Sequence, residues 1–237
     1  MNPEFLSDGL LYESKDEWQK AFAKDGEKAA RLLSNKQEEF SSACRTLCDS
    51  VDASRPDALI DSFQGEFKNF LDRLSWSGSL FPSEAERRAL LPAVLTLLSR
   101  LEERSTELWR LLESLSATQA ELETLLGAGE ALKASLFPAA AASVGLSLSP
   151  DPSAALSTCQ QSIEALHRCK EQISAYKKAL DQIYQFVFCR LVKEVAKTAD
   201  IEQDGAGASP ATLYRLVGNA GQTLSLIASK IPAAFRF

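Results

Sequence analysis

The feature that most constrains the fold is an aliphatic repeat with a period of seven residues between positions 84 and 135. Two series, three residues apart, place an apolar side chain at the same two points of successive heptads. The first series contains Leu91, Leu98, Leu112 and Leu126. The second contains Val94, Leu101, Leu108, Leu115 and Leu122. Because this spacing keeps the side chains on one side of an α-helix, it predicts a long helix that packs lengthwise against other helices.

The composition favours helices throughout the chain. The 237 residues include 11 Gly and 9 Pro, which cluster, and the stretches between clusters are rich in strong helix formers. No run alternates apolar and polar residues with the period of two that a half-buried strand needs. The sequence therefore predicts an all-α fold, an elongated bundle of three to five long antiparallel amphipathic helices with coiled-coil-like heptads.

The Gly and Pro clusters set the expected helix limits, since these residues end helices or begin new ones. The longest break is predicted between Pro138 and Pro152, with Gly127 and Gly129 as possible earlier ends of the leucine-rich helix. The expected organisation is a flexible N-terminus at 1–12, a helical bundle at 13–203 with helices at 13–51, 56–75, 84–135 and 153–200, a linker at 204–210, and a C-terminal helix and tail at 211–237.

Charge and cysteine content argue against several classes of protein. The net charge is -6 and the pI is about 5.1, the reverse of the basic excess typical of nucleic-acid binders. No stretch approaches the length of apolar sequence that spans a bilayer, and the first residues do not resemble a secretory signal. Five cysteines without a framework spacing are typical of reduced thiols, so the expected location is the cytoplasm.

Chemical motifs are weak. His167 is the sole histidine, and Cys169, two residues on, falls on a different helix face, which disfavours a catalytic pair. Cys44 and Cys48 could join Cys159, Cys169 or His167 in a zinc site, but the tight Cys-x-x-Cys turn is missing, so core packing is the favoured interpretation. Gly127 and Gly129 lack the Gly-Lys-Ser/Thr ending of a phosphate loop. We therefore expect no catalytic residue, no cofactor, no metal site and no small-molecule substrate, and we do not expect an enzyme.

Three features could serve binding to another protein. The first is a phenylalanine face flanked by two further aromatic residues, although a buried core is the more common use of such a face. The second is the stretch from Arg168 to Lys197, whose basic excess also fits a solvated face. The third is the end of the chain. The candidate partner-binding residues are Phe63, Phe67, Phe70, Trp76, Phe81, Phe235, Arg236 and Phe237.

The favoured functional hypothesis is a non-enzymatic interaction module. It would be a helical scaffold or adaptor, or a subunit of a larger coiled-coil assembly of the tethering, cytoskeletal or kinetochore type. Its partners would be other helical proteins, in a hetero-complex or a homodimer, and nucleic acid is not expected. One alternative is a curved helical dimer that binds a membrane surface, which the negative charge disfavours. Another is a secreted bacterial effector that contacts a host protein through helices.

Overall fold

The computed structural model describes residues 12–74, 84–199 and 210–233. Of these residues 90% are helical and none lies in a strand, so the all-α prediction is confirmed. The helical elements are α1 (Lys15–Ala53), α2 (Asp57–Arg73), α3 (Glu84–Ser143), α4 (Pro152–Gln182), a π-helical segment (Ile183–Cys189), α5 (Arg190–Ala199) and α6 (Pro210–Ala228). The predicted N-terminal region up to residue 11 and the linker at 204–209 lie outside the described ranges, and α6 begins at Pro210. No helix within those ranges is both long enough and apolar enough to cross a bilayer.

Local capping explains where two of the long helices begin. The Ser14 Oγ accepts a hydrogen bond from the Glu17 backbone N–H at 3.3 Å, and Glu17 Oε2 accepts the Ser14 backbone N–H at 3.2 Å. This reciprocal capping box satisfies two backbone donors at the start of α1. At α4, Asp151 Oδ1 accepts the Ser153 backbone N–H at 2.9 Å, and Pro152 occupies the first helical position, where proline is tolerated.

Helix α1 consists of two arms that meet at Asp25. The backbone of Asp25 is extended, with φ -158° and ψ 83°, so the helical hydrogen bonding restarts there. Its carboxylate caps the second arm, because Asp25 Oδ1 accepts the Lys28 backbone N–H at 3.1 Å. The sequence predicted one uninterrupted helix at 13–51 and did not locate this break.

Helix α3 continues past the predicted end at 135 and includes Pro138, so the expected long break is much shorter. Gly129 does not end the helix but is buried within it. A Cβ at this position would lie 2.5 Å from Phe40 Cζ and 3.0 Å from Ile163 Cγ1, so the glycine makes room for α1 and α4. The helix ends at Ser143, and Gly145 follows with φ +85°, a left-handed conformation that favours glycine after a helix.

The leucine repeat of α3 separates into a buried and a half-buried series. Each member of the second series is at most 1% exposed: Val94, Leu101, Leu108, Leu115 and Leu122. The first series lies at the margin of the buried stripe: Leu91, Leu98, Leu112 and Leu126 are intermediate in exposure. Burial that recurs every seven residues fits a helix whose one side packs along its length.

The fold divides into two compact units. Of the described residues, unit 1 comprises 12–53 and 115–173, and unit 2 comprises 54–74, 84–114, 174–199 and 210–233. In unit 1, Ser41 Oγ and Ser162 Oγ are 2.8 Å apart, and Cys48 Sγ and Cys169 Sγ are 2.7 Å apart. Each step covers seven residues on both helices, so the second arm of α1 and α4 run parallel in this unit.

The core of unit 2 is aromatic where α2 packs on α6. Phe63 and Phe67 have ring centroids 6.0 Å apart, and the Phe67 ring lies close to Gly221 of α6. At the margin of this contact, Gln64 Nε2 donates to Ser225 Oγ at 3.2 Å. The edge of the unit carries an ion pair between α2 and α3, in which Arg104 Nη2 lies 3.6 Å from Glu66 Oε1.

Candidate functional site

The phenylalanine face for which the sequence left two uses open, a buried core or a docking surface, lies in the core. Phe63, Phe67 and Phe70 are at most 4% exposed, so a partner could not reach them while unit 2 is folded. The face therefore has the use that is more common for such a pattern, because α6 packs against α2. The remaining candidates lie outside the described residues: Trp76, Phe81, Phe235, Arg236 and Phe237.

The residues that the sequence offered for catalysis or metal binding do not assemble into a site. His167 is exposed on α4, away from the buried thiols of the same helix. Across the described ranges, no group of three or more His, Cys, Asp or Glu side chains is arranged to hold a metal ion. The four described thiols of unit 1 are buried instead: Cys44, Cys48, Cys159 and Cys169.

A cavity of about 460 Å³ lies in unit 1 between the arms of α1. Its inner wall includes Trp18, whose indole N–H already donates to the Tyr12 carbonyl at 3.0 Å. Its rim carries exposed cations, and one of them, Arg31, lies 3.5 Å from Glu27. Trp18 is the sole fully buried side chain among the described lining residues, so this cavity offers no further buried polar group that could orient a small ligand.

The π-helical segment of unit 2 is held on one side by a row of three rings. Trp109 of α3 meets Tyr184 edge-on at 5.2 Å between centroids, and Tyr184 stacks on Phe188 at 5.7 Å. A hydrogen bond with the thiol of Cys189, five residues along, raises the pKa of the Tyr184 hydroxyl. The i to i+5 bonding of a π-helix brings positions five apart close together, and such segments are frequent at functional sites.

On another side of the same segment, a groove opens toward α6. We call it the α5–α6 groove. The π-helical segment and α5 form one wall, and α6 forms the other. Its lining residues are Phe186, Val187, Arg190, Leu191, Leu216, Asn219, Ala220 and Thr223. Val187 and Leu191 are buried and form part of the unit 2 core, whereas Phe186 and Arg190 are exposed at the rim.

The apolar part of the groove is accessible. Phe186 is 59% exposed, although a phenylalanine ring is normally shielded from water. Beyond the lining residues of α6, Leu226 is 64% exposed and follows Asn219 and Thr223 by seven and three residues, so all three share one helix face.

The two helices that border this groove carry more basic than acidic residues, although the whole chain is acidic. Helix α5 contains Arg190, Lys193 and Lys197 with one acidic residue, Glu194, and α6 contains one arginine and no acidic residue. Glu194 lies 3.0 Å from Lys197, which neutralises that pair locally. Arg190 lines the groove, whereas Arg215 is exposed on α6, four residues before the lining residue Asn219.

These features favour a surface contact over small-molecule binding. The enclosed volume of the α5–α6 groove is about 40 Å³, far below the several hundred cubic ångströms typical of a drug-sized ligand site. The groove is a shallow, largely apolar line with Arg190 at its rim. The groove was not identified from the sequence, where the one available signal was the coincidence of Phe186 with the basic stretch from Arg168 to Lys197.

Comparisons of the chain with protein-family models, with curated proteins and with solved structures find no match.

Proposed function

We propose that this chain is a non-enzymatic helical adaptor that binds a partner protein through the α5–α6 groove. The observation that carries the proposal is the exposed ring of Phe186 at the rim of the groove beside Arg190, with Leu226 exposed on the same face of α6 as the lining residues Asn219 and Thr223. Exposed apolar side chains framed by charge are typical of protein interaction sites. The partner that fits is an amphipathic helix, with leucine-like side chains on one face and acidic residues on its flanks.

The remainder of the molecule would act as the scaffold. We propose that its long helices pack with coiled-coil-like heptads, and two contact patterns in unit 1 support this. Ser41 with Ser162 and Cys48 with Cys169 repeat the same α1–α4 contact one heptad apart. Gly26 lies near Leu148 and Phe40 lies near Gly129. The second arm of α1 therefore runs antiparallel to the last part of α3 and the residues that follow it. This is the order expected of an up-down-up bundle.

The charge distribution supports a protein partner over a membrane surface. Anionic lipid is bound by clusters of about 4–8 basic residues. The basic residues of α5 and α6 number four, at the bottom of that range, and Glu194 pairs with one of them, Lys197, in a chain of net charge -6. Phe186 and Leu226 would fill the apolar face of a partner helix, while Arg190 and Arg215 would pair with its acidic flanks. Such flanking charges determine orientation and association rate more than affinity.

The test uses a matched pair of phenylalanine variants. Phe186→Ser removes the ring at the groove, whereas Phe137→Ser removes a ring that is 68% exposed in unit 1, outside the groove. Proteins cross-linked to the wild-type chain in an extract of its source organism would be identified by mass spectrometry. The interacting helix of each would then be synthesised, and its Kd would be measured by fluorescence anisotropy.

We expect Phe186→Ser to weaken binding by about 30-fold, the effect of losing a side chain worth about 2 kcal/mol at an interface. Phe137→Ser should leave the Kd unchanged. Arg190→Glu should slow association and reduce its salt dependence, whereas Lys20→Glu on α1 should do neither. Equal Kd values for the two phenylalanine variants would contradict the proposal.

Two other results would replace the proposal with an alternative. Binding of the wild-type chain to anionic vesicles, lost at high salt and lost in Phe186→Ser, would assign the groove to a membrane surface. Concentration-dependent self-association that Phe186→Ser abolishes would assign it to a second copy of this chain. In either case, adding the synthetic partner helix should displace neither the vesicles nor the second copy of the chain.

A further inference from the structure

Two buried thiols of unit 1 lie against each other across the α1–α4 contact. Cys48 Sγ and Cys169 Sγ are 2.7 Å apart, although both cysteines are free. Cys48 is 4% exposed and Cys169 is fully buried. This separation is closer than two unbonded sulfur atoms normally sit, and it places the pair near the distance at which a disulfide bond forms.

We infer that Cys48 and Cys169 form a modification site, at which a small hydroperoxide oxidises the two thiols to a disulfide that links α1 to α4. The inference is independent of the proposed partner-binding groove, which belongs to unit 2. It rests on the position of the two sulfur atoms, which lie on helices held in a fixed register by the neighbouring Ser41–Ser162 contact.

The chemistry assigns different roles to the two sulfurs. The thiolate of Cys169 attacks one oxygen of hydrogen peroxide, the O–O bond breaks, and a sulfenic acid forms with release of hydroxide. The sulfur of Cys48 then attacks the sulfenic sulfur, the S–O bond breaks, and water leaves after taking up the Cys48 proton. The released hydroxide takes up the proton that Cys169 had lost, so in total two thiols and one peroxide give one disulfide and two waters. The oxidant is small, as the burial of the pair requires.

The surroundings support Cys169 as the first residue to react. Either sulfur could donate the hydrogen bond between Cys48 and Cys169. With Cys48 as the donor, this bond lowers the pKa of Cys169 and raises the pKa of Cys48. The nearby positive charge of Arg168 also lowers the pKa of Cys169, while burial and the negative charge of Asp52 oppose both effects. The other buried thiols keep their protons more firmly, since burial raises the pKa of Cys44 to about 12 and that of Cys159 to about 11.

The disulfide would cross-link two residues separated by 121 positions in the chain. Closing a long loop lowers the conformational entropy of the unfolded chain, so oxidation should stabilise unit 1. The folded structure would change little, because the sulfur atoms are already adjacent. The modification would therefore be a reversible covalent cross-link that stabilises the α1–α4 contact.

The experiment treats the folded full-length chain with hydrogen peroxide, alkylates the remaining thiols after denaturation, and maps disulfide-linked peptides by mass spectrometry. We expect a linkage of Cys48 to Cys169 that dithiothreitol reverses, with a thermal midpoint raised by about 5–10 °C. Cys189→Ser should give the same linkage, because Cys189 is exposed and is not needed. Cys44→Ala, which removes a buried thiol but keeps the pair, should also retain it.

Cys48→Ala and Cys169→Ala should each abolish both the linkage and the thermal shift. If either variant fails to fold, trapping sulfenic acid with dimedone in the wild-type chain provides the second measurement, and Cys169 should be the labelled residue. Oxidation confined to Cys189, or a linkage that pairs Cys44 with another thiol, would overturn the inference.

Discussion

In unit 1, the layer between α1 and α4 contains hydroxyl, amide and thiol groups that bond to one another. Gln37 Nε2 donates to Ser41 Oγ at 2.8 Å, and Ser41 in turn meets Ser162. In unit 2, the contact of α2 with α6 is made by aromatic and aliphatic side chains. Large apolar side chains are exposed in both units, among them Phe137 in unit 1 and Phe186 in unit 2. The two units therefore differ in their helix contacts, which contain bonded polar and thiol groups between α1 and α4 of unit 1 and apolar side chains between α2 and α6 of unit 2.

This difference separates two roles that one helical fold can combine. Buried polar pairs contribute little net stability, but they favour one register of two helices, because a shifted register would leave them without partners. Exposed apolar side chains contribute little to folding and are available to a partner. We interpret unit 1 as the part that determines helix register and, under the proposed function, unit 2 as the part that presents the α5–α6 groove.

The largest expected effect tests whether the buried leucine series of α3 holds unit 1 together. Leu122→Ala should lower the free energy of unfolding by about 2–5 kcal/mol, because Leu122 is fully buried and truncation leaves a cavity. Leu126→Ala, in the half-buried series, should cost about 1 kcal/mol. Urea unfolding followed by circular dichroism measures both. Equal losses would mean that the two series are equivalent and that the buried stripe is wider than described.

A somewhat smaller effect is expected from filling the space at Gly129. Gly129→Ala should destabilise the chain by about 1–3 kcal/mol, since the new methyl group would overlap the fully buried ring of Phe40. The control is Gly127→Ala, where no atom lies within 4 Å of the added Cβ. There alanine should stabilise the helix by about 0.5–1 kcal/mol. A stabilising Gly129→Ala would show that the three helices of unit 1 do not pack as closely as described.

The raised pKa of the buried Cys44 thiol predicts that the free energy of unfolding decreases in alkali. Burial raises the pKa of Cys44 from its ordinary value of 9.0 to about 12, so above pH 9.0 the unfolded state gives up this proton first. Stability from this group is fully present below pH 9.0 and is lost as the pH rises toward about 12. Urea midpoints at about pH 8 and about pH 10.5 should therefore differ less in Cys44→Ala than in the wild-type chain. If Cys44→Ala had the same pH dependence of the urea midpoint as the wild-type chain, the raised pKa of Cys44 would be contradicted.

The smallest expected effect concerns the surface of unit 2. Phe186→Ser should change the free energy of unfolding by about 0.5 kcal/mol or less, because the ring is mostly in water already. Thermal unfolding of this variant beside Phe137→Ser gives the comparison. A loss above about 2 kcal/mol would make Phe186 a structural residue and would remove the basis for the α5–α6 groove as a binding surface.

Much of the helical architecture was accessible from the sequence. The period of seven in α3, the Asp-Pro before α4 and the proline at the start of α6 all act through local spacing or capping, which one sequence displays. The end of α3 was not accessible. Glycine is common at helix ends, so Gly129 suggested an end to the helix. It instead makes room for the ring of Phe40, a residue distant in the chain, and this contact cannot be predicted from local sequence.

The candidate site was harder to predict from the sequence than the fold. Phe63, Phe67 and Phe70 have the spacing of an apolar helix face, and spacing alone does not distinguish a buried face from an exposed one. The exposure of Phe186 depends on the π-helical segment, which departs from the period used to assign faces. The pairing of Cys48 with Cys169 depends on the register of α1 against α4, which requires the packed structure.

The wide turn at Ile183–Cys189 determines how homologues of this chain can accommodate a deletion. A π-helical turn accommodates one more residue than an α-helical turn, so a single-residue deletion here would leave the helix continuous. Because the α-helical turn that remained would also complete one full rotation, the helix downstream would keep its orientation. Arg190 and Lys193 would then stay on the same side of the helix. Homologues one residue shorter at this point should therefore share the same skeleton and the same direction of the basic residues of α5, while the spacing of the rings within the turn would differ.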